Sequence, residues 1–431
     1  MIPRYTLPEM ERLWSDVNKY DTWLKVELAV CEAQSKLGII PPKALSIIQK
    51  RASYDIKEIE KIELNVHHDV IAFLTSVASH VGPSSRYMHL GMTSSDVLDI
   101  SLAATLKETN TLLISALQRL MTSIKKKAIK HQYTPMLGRT HGIAAEPITL
   151  GMKLALWYTE LERGLQRMKS AASEVEVGKI SGAVGTYAHI NPCIEQSVCR
   201  KLGLRPAKVS SQIIQRDRHA HYLAVLAIVA ASIEKFATVI RSLQRTEIGE
   251  LEEPFARGQK GSSAMPHKKN PIICERMCGL ARLLRGNTIT AMENVALWDE
   301  RDISHSSNER IILPASTSLL HYMLVKFNEV ISRLTVNADK MLANIFDSGG
   351  LICSQRLLLS LTQSGLSREE SYSIVQRIAL FSHKTGKPFY DIVMDEPMVQ
   401  RYLDKNEIKS VFDIGYYTRH IDLIFKRVFP A

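Results

Sequence analysis

Residues 207–248 form a stretch of 42 residues without glycine or proline that reads AKVSSQIIQRDRHAHYLAVLAIVAASIEKFATVIRSLQRTEI. Its apolar residues follow the three- and four-residue spacing of a helix, as at Leu223, Leu226, Ala227 and Ala230. A helix of about 40 residues is about 60 Å long at 1.5 Å per residue. Such a helix is too long for one compact domain and is typical of a bundle that continues into partner subunits.

Four other long stretches contain few glycines and prolines. They are residues 96–132, residues 147–177 with Pro147 in a first-turn position, residues 271–313, and residues 315–347. No stretch of comparable length alternates with period two, so we expect very little strand. The sequence predicts an all-α fold of three helical domains: 1–93, an N-terminal helical domain; 94–345, a central long-helix bundle; and 346–431, a C-terminal helical domain.

The charge balance limits the class of partner. The chain has 55 lysines and arginines against 44 acidic residues, a net charge of +11. The basic residues are mostly scattered singly, which favours a phosphate-bearing small substrate over nucleic acid. The apolar run 222–240 is interrupted by Glu234 and Lys235, which indicates a buried helix rather than a membrane span. The start of the chain lacks the pattern of a signal peptide, so we expect a cytoplasmic protein.

Three polar loops precede long helices. Residues 88–96 read MHLGMTSSD, residues 138–142 read GRTHG, and residues 258–271 read GQKGSSAMPHKKNP. The first loop is typical of a helix N-cap, and the same exposed amides can hold a substrate carboxylate. The histidine of the second loop, His141, is open to two interpretations, a structural histidine or a proton donor.

The third loop is the most informative. Its glycines and the small residues 262–264 leave the backbone free to close over a ligand. We predict that Asn270 caps a helix beginning at Pro271, whose positive end points back into the loop. A serine hydroxyl, the Lys268 ammonium and this helix end would together stabilise an oxyanion.

Residues 262–271, SSAMPHKKNP, resemble the signature loop SSxMPxKxNP of the fumarase/aspartase superfamily at every fixed position. The resemblance extends over essentially the whole chain in motif order and length. His267 distinguishes the loop from the MPGK of fumarases and aspartases and the MPQK of argininosuccinate lyases, but carboxymuconate cycloisomerases share MPHK. The closest similarity is to the adenylosuccinate lyase family, through Arg4-Tyr5, His67-His68-Asp69, Gln212, the run 215–220 (QRDRHA), and Ser306 with Glu309, Arg310 and Ile311. Asn308 lies within this last motif, at a position where the family often has an apolar residue.

The resemblance implies a carbon–nitrogen lyase of purine biosynthesis, in the routes to AMP and IMP. Its β-elimination would release fumarate from adenylosuccinate, giving AMP, and from succinyl-aminoimidazole carboxamide ribotide, giving AICAR. Ser262 is the expected base, with Ser263 as the alternative one residue away. His141 is the expected acid, oriented by Glu275, while Lys268 supplies positive charge and His68 helps to position the nucleotide.

The remaining expected residues bind substrate, and the resemblance implies no metal and no cofactor. The phosphate, ribose, base and succinyl carboxylates would be held by Arg4, Tyr5, His67, Asp69, His89, Thr93, Ser94, Thr140, Gln212, Asn270, Arg301, Ser306 and Arg310.

Helix connectivity predicts an oligomer. If successive bundle helices are antiparallel, the loop at 88–96 lies at one end of the bundle and the loops at 139–147 and 258–271 lie at the other. One subunit could not then complete a site from all three loops, so sites would be shared. The resemblance agrees and implies a homotetramer with four composite sites.

Two other classes remain as alternatives. The first is another superfamily member, a carboxymuconate cycloisomerase or an argininosuccinate lyase, which a substrate panel would separate. The second is a non-catalytic helical protein on a former lyase scaffold. The presence of the serine pair, His141 and Lys268 argues against that second class.

Overall fold

The computed structural model describes residues 2–256 and 258–430. Over these residues the chain is almost entirely helical. The α-helices are α1 (Pro8–Leu13), α2 (Asp16–Lys36), α3 (Pro42–Arg51), α4 (Ile56–Val66), α5 (Asp69–Val81), α6 (Ser94–Lys130), α7 (Leu150–Val175), α8 (Pro192–Leu202), α9 (Asp217–Leu243), α10 (Ile272–Glu293), α11 (Ser304–Arg333), α12 (Ala338–Phe346), α13 (Ser354–Gln363), α14 (Arg368–Thr385), α15 (Phe389–Asp395), α16 (Pro397–Gln400), α17 (Lys405–Val411), α18 (Gly415–Thr418) and α19 (Ile421–Val428).

Short strands and 3-10 turns connect the helices. The strands are β1 (Pro135–Thr140), β2 (Ile143–Thr149), β3 (Val177–Gly178), β4 (Arg205–Pro206), β5 (Leu251–Glu252) and β6 (Thr335–Val336). They form three two-stranded pairs: β1–β2 and β5–β6 are antiparallel, and β3–β4 is parallel. The expected all-α fold with very little strand is confirmed.

The chain divides into two compact units, each made of three segments. The first comprises residues 1–119, 163–234 and 277–326, and the second comprises residues 120–162, 235–276 and 327–431. The division into three sequence domains stays a prediction.

The first unit has a core in which α2 packs against α8 and α4 packs against α5. Aromatic rings contribute much of its buried surface. The rings of Trp23 and Phe73 lie edge to face with centroids 5.5 Å apart, and Tyr20 stacks on Phe73 at 5.8 Å. Apolar residues at helical spacing on α2 and α5, including Val26, Val30 and Val77, complete this core.

The second unit buries a separate apolar cluster. Leu357 and Leu361 on α13 pack with Phe389, Val393 and Ile408, and all five side chains are fully buried. In the same unit α12 packs against β1, and α18 packs against β2.

The β1–β2 hairpin corrects one helix boundary. Residues 147–149 were expected to open a helix, but Pro147 lies in β2 opposite Leu137, and α7 begins at Leu150. The hairpin turns at His141 and Gly142, whose φ angles are 56° and 80°. Two consecutive residues with positive φ are typical of a tight two-residue hairpin turn. The chain therefore presents His141 at the tip of a hairpin.

Other boundaries also differ from the predicted ones. The stretch 207–248 is helical only over α9, because residues 207–216 adopt an extended and bent path. The stretch 271–313 is broken between α10 and α11, where the Asp302 carboxylate accepts hydrogen bonds from the amides of Trp298 (2.8 Å) and Ser304 (2.7 Å). Asp302 therefore satisfies the amide of Ser304, the first residue of α11.

Pro314 does not end a helix, contrary to the prediction, but lies inside α11. An internal proline costs a helix about 3 kcal/mol. Buried side chains flank it on both sides, with Leu313, Leu320, Met323 and Phe327 between 0% and 1% exposed. Their packing outweighs the local cost. The helix then ends at Arg333, where the chain enters β6, rather than continuing through residue 347.

Among the described residues, α9 has the length and composition of a membrane span. Its most apolar 18-residue window has a mean hydropathy of 2.0, and 56% of that window is buried inside the protein. This burial agrees with the prediction that the apolar run 222–240 belongs to a core helix.

Candidate active site

The hairpin that carries Thr140 and His141 is held by a buried carboxylate. Arg139, next to Thr140 on β1, donates from Nη1 and Nη2 to the two carboxylate oxygens of Glu250 at 3.1 and 2.7 Å. The Glu250 side chain is fully buried and also accepts from Asn344 Nδ2 at 2.8 Å. A bidentate contact of this kind fixes the orientation of the guanidinium relative to the carboxylate as well as the distance between them. His141 itself is exposed.

The signature loop contains a serine whose hydroxyl oxygen accepts from two backbone amides. The Oγ of Ser262 accepts hydrogen bonds from the backbone amides of Ala264 (3.2 Å) and Met265 (3.1 Å). Ser262 is half-buried, whereas Ser263 is exposed. Two amides directed at one hydroxyl oxygen would stabilise negative charge on that oxygen. The geometry therefore favours Ser262 as the site of an alkoxide.

The predicted Asn270 cap is wrong, because another residue occupies the start of α10. The carboxylate of Glu253 accepts from the amides of Ile273 (2.9 Å) and Cys274 (2.8 Å), and it is buried. A full negative charge neutralises the helix N-terminus better than an amide oxygen. The side chain of Asn270 instead closes the loop by donating to the carbonyl of Gly261 at 2.8 Å.

Lys268 and Glu275 are both exposed, Lys268 in the loop and Glu275 in the first turn of α10. Within residues 2–256 and 258–430, no hydrogen bond or ion pair joins Glu275 to His141. The orientation of His141 by Glu275 stays a prediction.

A second group of expected residues lies in the first compact unit, around the start of α5. Nδ1 of His68 accepts from the amide of Ile71 at 3.4 Å and caps α5. Nε2 of the same ring lies 3.5 Å from Ser94 Oγ. The Asp69 carboxylate lies 3.7 Å from His68 and 2.5 Å from Arg310 Nη2. The structure thus brings His68, Asp69, Ser94 and Arg310 together.

The pKa of Asp69 reflects these neighbours. Burial would raise it, but the hydrogen bond and charge of Arg310 outweigh burial and hold the pKa of the carboxyl below its usual value. Asp69 is therefore ionised at neutral pH and faces the guanidinium rather than open solvent.

Thr93 and Ser94 lie at the start of α6, as a capping loop should. The amide of Thr93 donates to Asp96 Oδ2 at 2.8 Å, and Asp96 forms a fully buried ion pair with Lys179 at 2.7 Å. Asp96 thus accepts from the amide at the start of α6, while Thr93 and Ser94 are half-buried and Ser94 lies beside His68.

The expected phosphate ligands Arg301, Ser306 and Arg310 line one cavity of about 380 Å³ in the first unit. Apolar side chains, among them Trp14 and Leu98, form much of its wall. Arg301 Nη1 donates to Gln212 Oε1 at 3.0 Å, and Gln212 Nε2 donates to the carbonyl of Ala183 at 2.9 Å.

A buried ionic cluster underlies this cavity. Arg216, immediately before α9, donates to both carboxylate oxygens of Asp99 on α6 at 2.9 and 3.1 Å, and to those of Glu309 on α11 at 2.9 and 3.2 Å. Burial and the charge of Arg216 lower the pKa of His219 to about 3 and that of His305 to about 4. Both histidines are therefore neutral.

The four remaining expected ligands are also in the first unit. Arg4 and His67 are exposed, and His67 ends α4 with a φ of 52°. Tyr5 is half-buried, with its ring centroid 5.5 Å from that of Tyr322. His89 is half-buried against Glu27, a fully buried carboxylate that lies 2.7 Å from its Nδ1.

Sequence reasoning missed three carboxylates that position these residues: Glu27, Glu250 and Glu253. Only Glu27 left a signal, because it occurs on the apolar face of α2 with Trp23, Val26 and Val30. No cluster of three or more His, Cys, Asp or Glu side chains with the arrangement of a metal site occurs in the described part of the chain.

Comparisons with known proteins match the whole chain. A family model described as Lyase matches residues 4–286, and one described as Adenylosuccinate lyase C-terminus matches residues 350–428. Adenylosuccinate lyase of Bacillus subtilis is 50% identical over 428 residues, 99% of either chain. The chain belongs to the adenylosuccinate lyase family. Adenylosuccinate lyase of Staphylococcus saprophyticus is 48% identical over 427 residues, again 99% of either chain.

Solved structures of the wider superfamily share the fold. A fumarate lyase from Mesorhizobium sp. BNC1 superposes with a TM-score of 0.91 at 23% identity, over 99% of both chains. A 3-carboxy-cis,cis-muconate lactonizing enzyme from Pseudomonas putida gives 0.90 at 28% identity, over 98% of this chain and 96% of that one. The expected membership of the fumarase/aspartase superfamily, and of the adenylosuccinate lyase family within it, is confirmed.

Proposed function

We propose that this chain is a carbon–nitrogen lyase that cleaves adenylosuccinate to AMP and fumarate, and succinyl-aminoimidazole carboxamide ribotide to AICAR and fumarate. The observation that carries the proposal is the full-length relationship to two proteins named adenylosuccinate lyase. The reaction needs a base for the succinyl Cβ proton, an acid for the departing nitrogen, and cations for the carboxylates and phosphate.

Ser262 is the proposed base, with Ser263 as the alternative. The Cβ proton is weakly acidic, so the base must be a serine alkoxide of unusual stability. The two amides on Ser262 Oγ, at 3.1 and 3.2 Å, would supply part of this stabilisation. Lys268 in the same loop would supply positive charge. Proton removal leaves a carbanion that is delocalised into the adjacent carboxylate.

His141 is the proposed acid, with Glu275 as the residue that orients it. An imidazole can hold a proton near neutral pH and transfer it to the purine 6-amino nitrogen as the C–N bond breaks. Its position at the tip of a hairpin anchored by Glu250 suits a group that must reach into a site. Thr140, on the same hairpin, would bind a succinyl carboxylate together with Asn270, Thr93, Ser94 and Gln212.

The nucleotide would be bound by groups of the first unit. Arg301, Ser306 and Arg310 share one cavity, which suits a phosphate and ribose because arginine presents several N–H donors in one plane. His68, His67, Asp69, His89, Arg4 and Tyr5 complete the proposed set.

We further propose a homotetramer whose sites take groups from more than one subunit. The proposed nucleotide ligands belong to the first compact unit, whereas Ser262, His141, Lys268 and Glu275 belong to the second. Several large apolar side chains of the first unit are also exposed, among them Trp298 at 80% and Ile303 and Ile311 at 68%. Contact with a partner subunit would remove these apolar side chains from water. Mixing inactive His68→Gln and His141→Gln proteins should then restore part of the activity.

We expect the enzyme to be cytoplasmic and to act on small molecules, without a nucleic-acid or membrane partner. The scattered basic residues and the metabolite substrate support this expectation.

A substrate panel tests the proposed function. Purified protein would be given adenylosuccinate, with argininosuccinate and malate as parallel controls, and fumarate would be followed by proton NMR. Fumarate and AMP from adenylosuccinate alone is the expected result. Turnover of a control with no reaction on adenylosuccinate would contradict the purine assignment while keeping the elimination chemistry. No reaction on any of the three by folded tetramer would contradict both.

A further inference from the structure

Glu27 is a charged residue in an apolar environment. It lies on α2 with Trp23, Val26 and Val30, and its side chain has no solvent exposure. Burial of a carboxylate without compensating hydrogen bonds is strongly unfavourable. Its partners in the described part of the chain come from one residue, His89, which donates from Nδ1 to Oε1 at 2.7 Å and from its backbone amide to Oε2 at 3.0 Å.

The backbone of His89 depends on this contact. Its φ is 58°, in the left-handed region that residues other than glycine adopt at a cost. Gln34, also on α2, donates from Nε2 to the carbonyl of Leu90 at 2.7 Å. Gly91, at a φ of 79°, brings its Cα so close to the carbonyl of His189 that a side chain would collide with it. The loop before Thr93 is thus fixed in one conformation.

The contact also determines the charge of the His89 ring. Burial would lower its pKa, but the hydrogen bond and charge of Glu27, with a smaller contribution from Asp96, raise the pKa above the usual value. Lys179 in turn neutralises Asp96. With Nδ1–H bound to Glu27, the N–H at Nε2 has no protein acceptor in the described part of the chain, and 20% of the side chain is exposed.

We propose that Glu27 is a positioning residue for substrate binding: it holds His89 as an imidazolium whose Nε2–H donates to the substrate phosphate. This inference rests on the proposed function, in which the substrate is a nucleotide. Glu27 does not touch the substrate. It acts through His89, because a hydrogen bond at one ring nitrogen of a histidine orients the ring and determines what the other nitrogen can do.

The substitution Glu27→Gln removes the charge while keeping the size of the side chain, and the Gln oxygen can still accept from one of the two N–H groups of His89. Glu32→Gln is the matched control, because Glu32 lies on α2 but pairs with Lys201 near the surface. KM and kcat would be measured between pH 6 and pH 8.5 for adenylosuccinate and for its dephosphorylated nucleoside. Each variant is compared with wild type at the same pH, which cancels titration of the phosphate itself.

We expect Glu27→Gln to raise the KM for adenylosuccinate about tenfold at pH 8, a factor typical of losing one charge-assisted contact. The rise should be smaller at pH 6, where His89 can be protonated without Glu27. The KM for the nucleoside, kcat, and all values for Glu32→Gln should stay within about threefold of wild type. An unchanged nucleotide KM at pH 8, or equal rises for nucleotide and nucleoside, would overturn the proposal.

Two further measurements keep the test decisive. If Glu27→Gln does not fold, the variant His89→Gln, which keeps Glu27, takes its place. It should raise the KM for the nucleotide at pH 6 and at pH 8 alike, and an unchanged KM would overturn the proposal. NMR titration of the His89 ring, assigned with His89→Gln, reports on Glu27 without any substrate. If wild type cleaves adenylosuccinate but the His89 titration is unaltered in Glu27→Gln, the role of Glu27 alone is overturned. If wild type is inactive on adenylosuccinate, the proposed function is contradicted.

Discussion

Asp69 at the start of α5 and Arg310 on α11 form an ion pair of 2.5 Å across 241 residues of sequence. One guanidinium nitrogen is bound in this pair, and the side chain of Arg310 remains 55% exposed. The pair therefore fixes the direction of the guanidinium and leaves its other N–H groups for a ligand. Because Asp69 also adjoins His68, one carboxylate links a proposed phosphate ligand to a residue proposed to position the nucleotide.

This arrangement predicts that Arg310→Lys impairs nucleotide binding. Lysine keeps the charge and can pair with Asp69, but it lacks the planar set of additional donors. We expect the KM for adenylosuccinate to rise about tenfold, the value of one lost charge-assisted hydrogen bond, with little change in kcat. Steady-state kinetics would measure it. Arg333→Lys, on the same helix and paired with Glu329, should behave like wild type, and an equal effect there would contradict the assignment.

The cluster of Arg216, Asp99 and Glu309 predicts a large loss of stability in Arg216→Ala. Removal of the guanidinium leaves two buried carboxylates without a counter-ion, which costs about 3–5 kcal/mol. Urea unfolding at fixed protein concentration would measure it. Lys201→Ala, which breaks the partly exposed pair with Glu32, should cost less than about 1 kcal/mol. Similar losses in the two variants would show that the buried cluster has no special role.

The contact of Arg139 with Glu250 predicts a loss of turnover in Glu250→Gln. A neutral amide cannot accept from both guanidinium nitrogens, so the hairpin that carries His141 would lose its fixed direction. A displacement of about 1 Å in a catalytic group can cost up to about 100-fold, and we expect kcat to fall roughly 10- to 100-fold. Glu247→Gln, an exposed carboxylate three residues away, is the control. Wild-type kcat in Glu250→Gln would contradict the anchoring role.

The neutral histidines predict sensitivity to acid. His219 and His305 have pKa values lowered from 6.5 to about 3 and about 4, so the unfolded chain takes up protons first as the pH falls. The contribution of these two neutral histidines to the free energy of unfolding is complete above pH 6.5 and is lost as the pH falls toward 4. The urea midpoint should decline over this window, and His305→Asn should make the decline shallower. A His305→Asn profile parallel to that of wild type would exclude His305 as a source.

Most of the helical fold could be predicted from sequence because helical periodicity is a local signal. The errors fall where tertiary contacts override it. Pro314 is carried through α11 by buried neighbours, and Pro147 lies in a strand because the turn at His141 and Gly142 pairs β2 with β1. The signal for that hairpin is a histidine–glycine pair between runs of six and seven residues, which are too short to outweigh a proline typical of a helix start.

The residues proposed to contact substrate could also be chosen from sequence. Some lie in the three polar loops, the third of which carries the superfamily signature, and the others lie in short motifs that resemble the adenylosuccinate lyase family. Their supporting carboxylates could not be chosen in this way. Glu253 lies 20 residues before the amide it caps, and Glu27 lies 62 residues before His89. Each is a single acidic residue whose partner is decided by the fold. Sequence reasoning therefore assigned the cap of α10 to Asn270, the nearest suitable side chain.

The turnover of Ser262→Ala, Ser263→Ala and His141→Gln on adenylosuccinate tests the elimination chemistry most directly. Loss of a positioned base or acid typically costs about 100- to 10,000-fold, and we expect kcat to fall by this amount in Ser262→Ala and His141→Gln, with substrate affinity retained. Ser263→Ala should lose less. A larger loss in Ser263→Ala would move the base by one residue. Near-wild-type kcat in both serine variants, or in His141→Gln, would contradict the proposed mechanism.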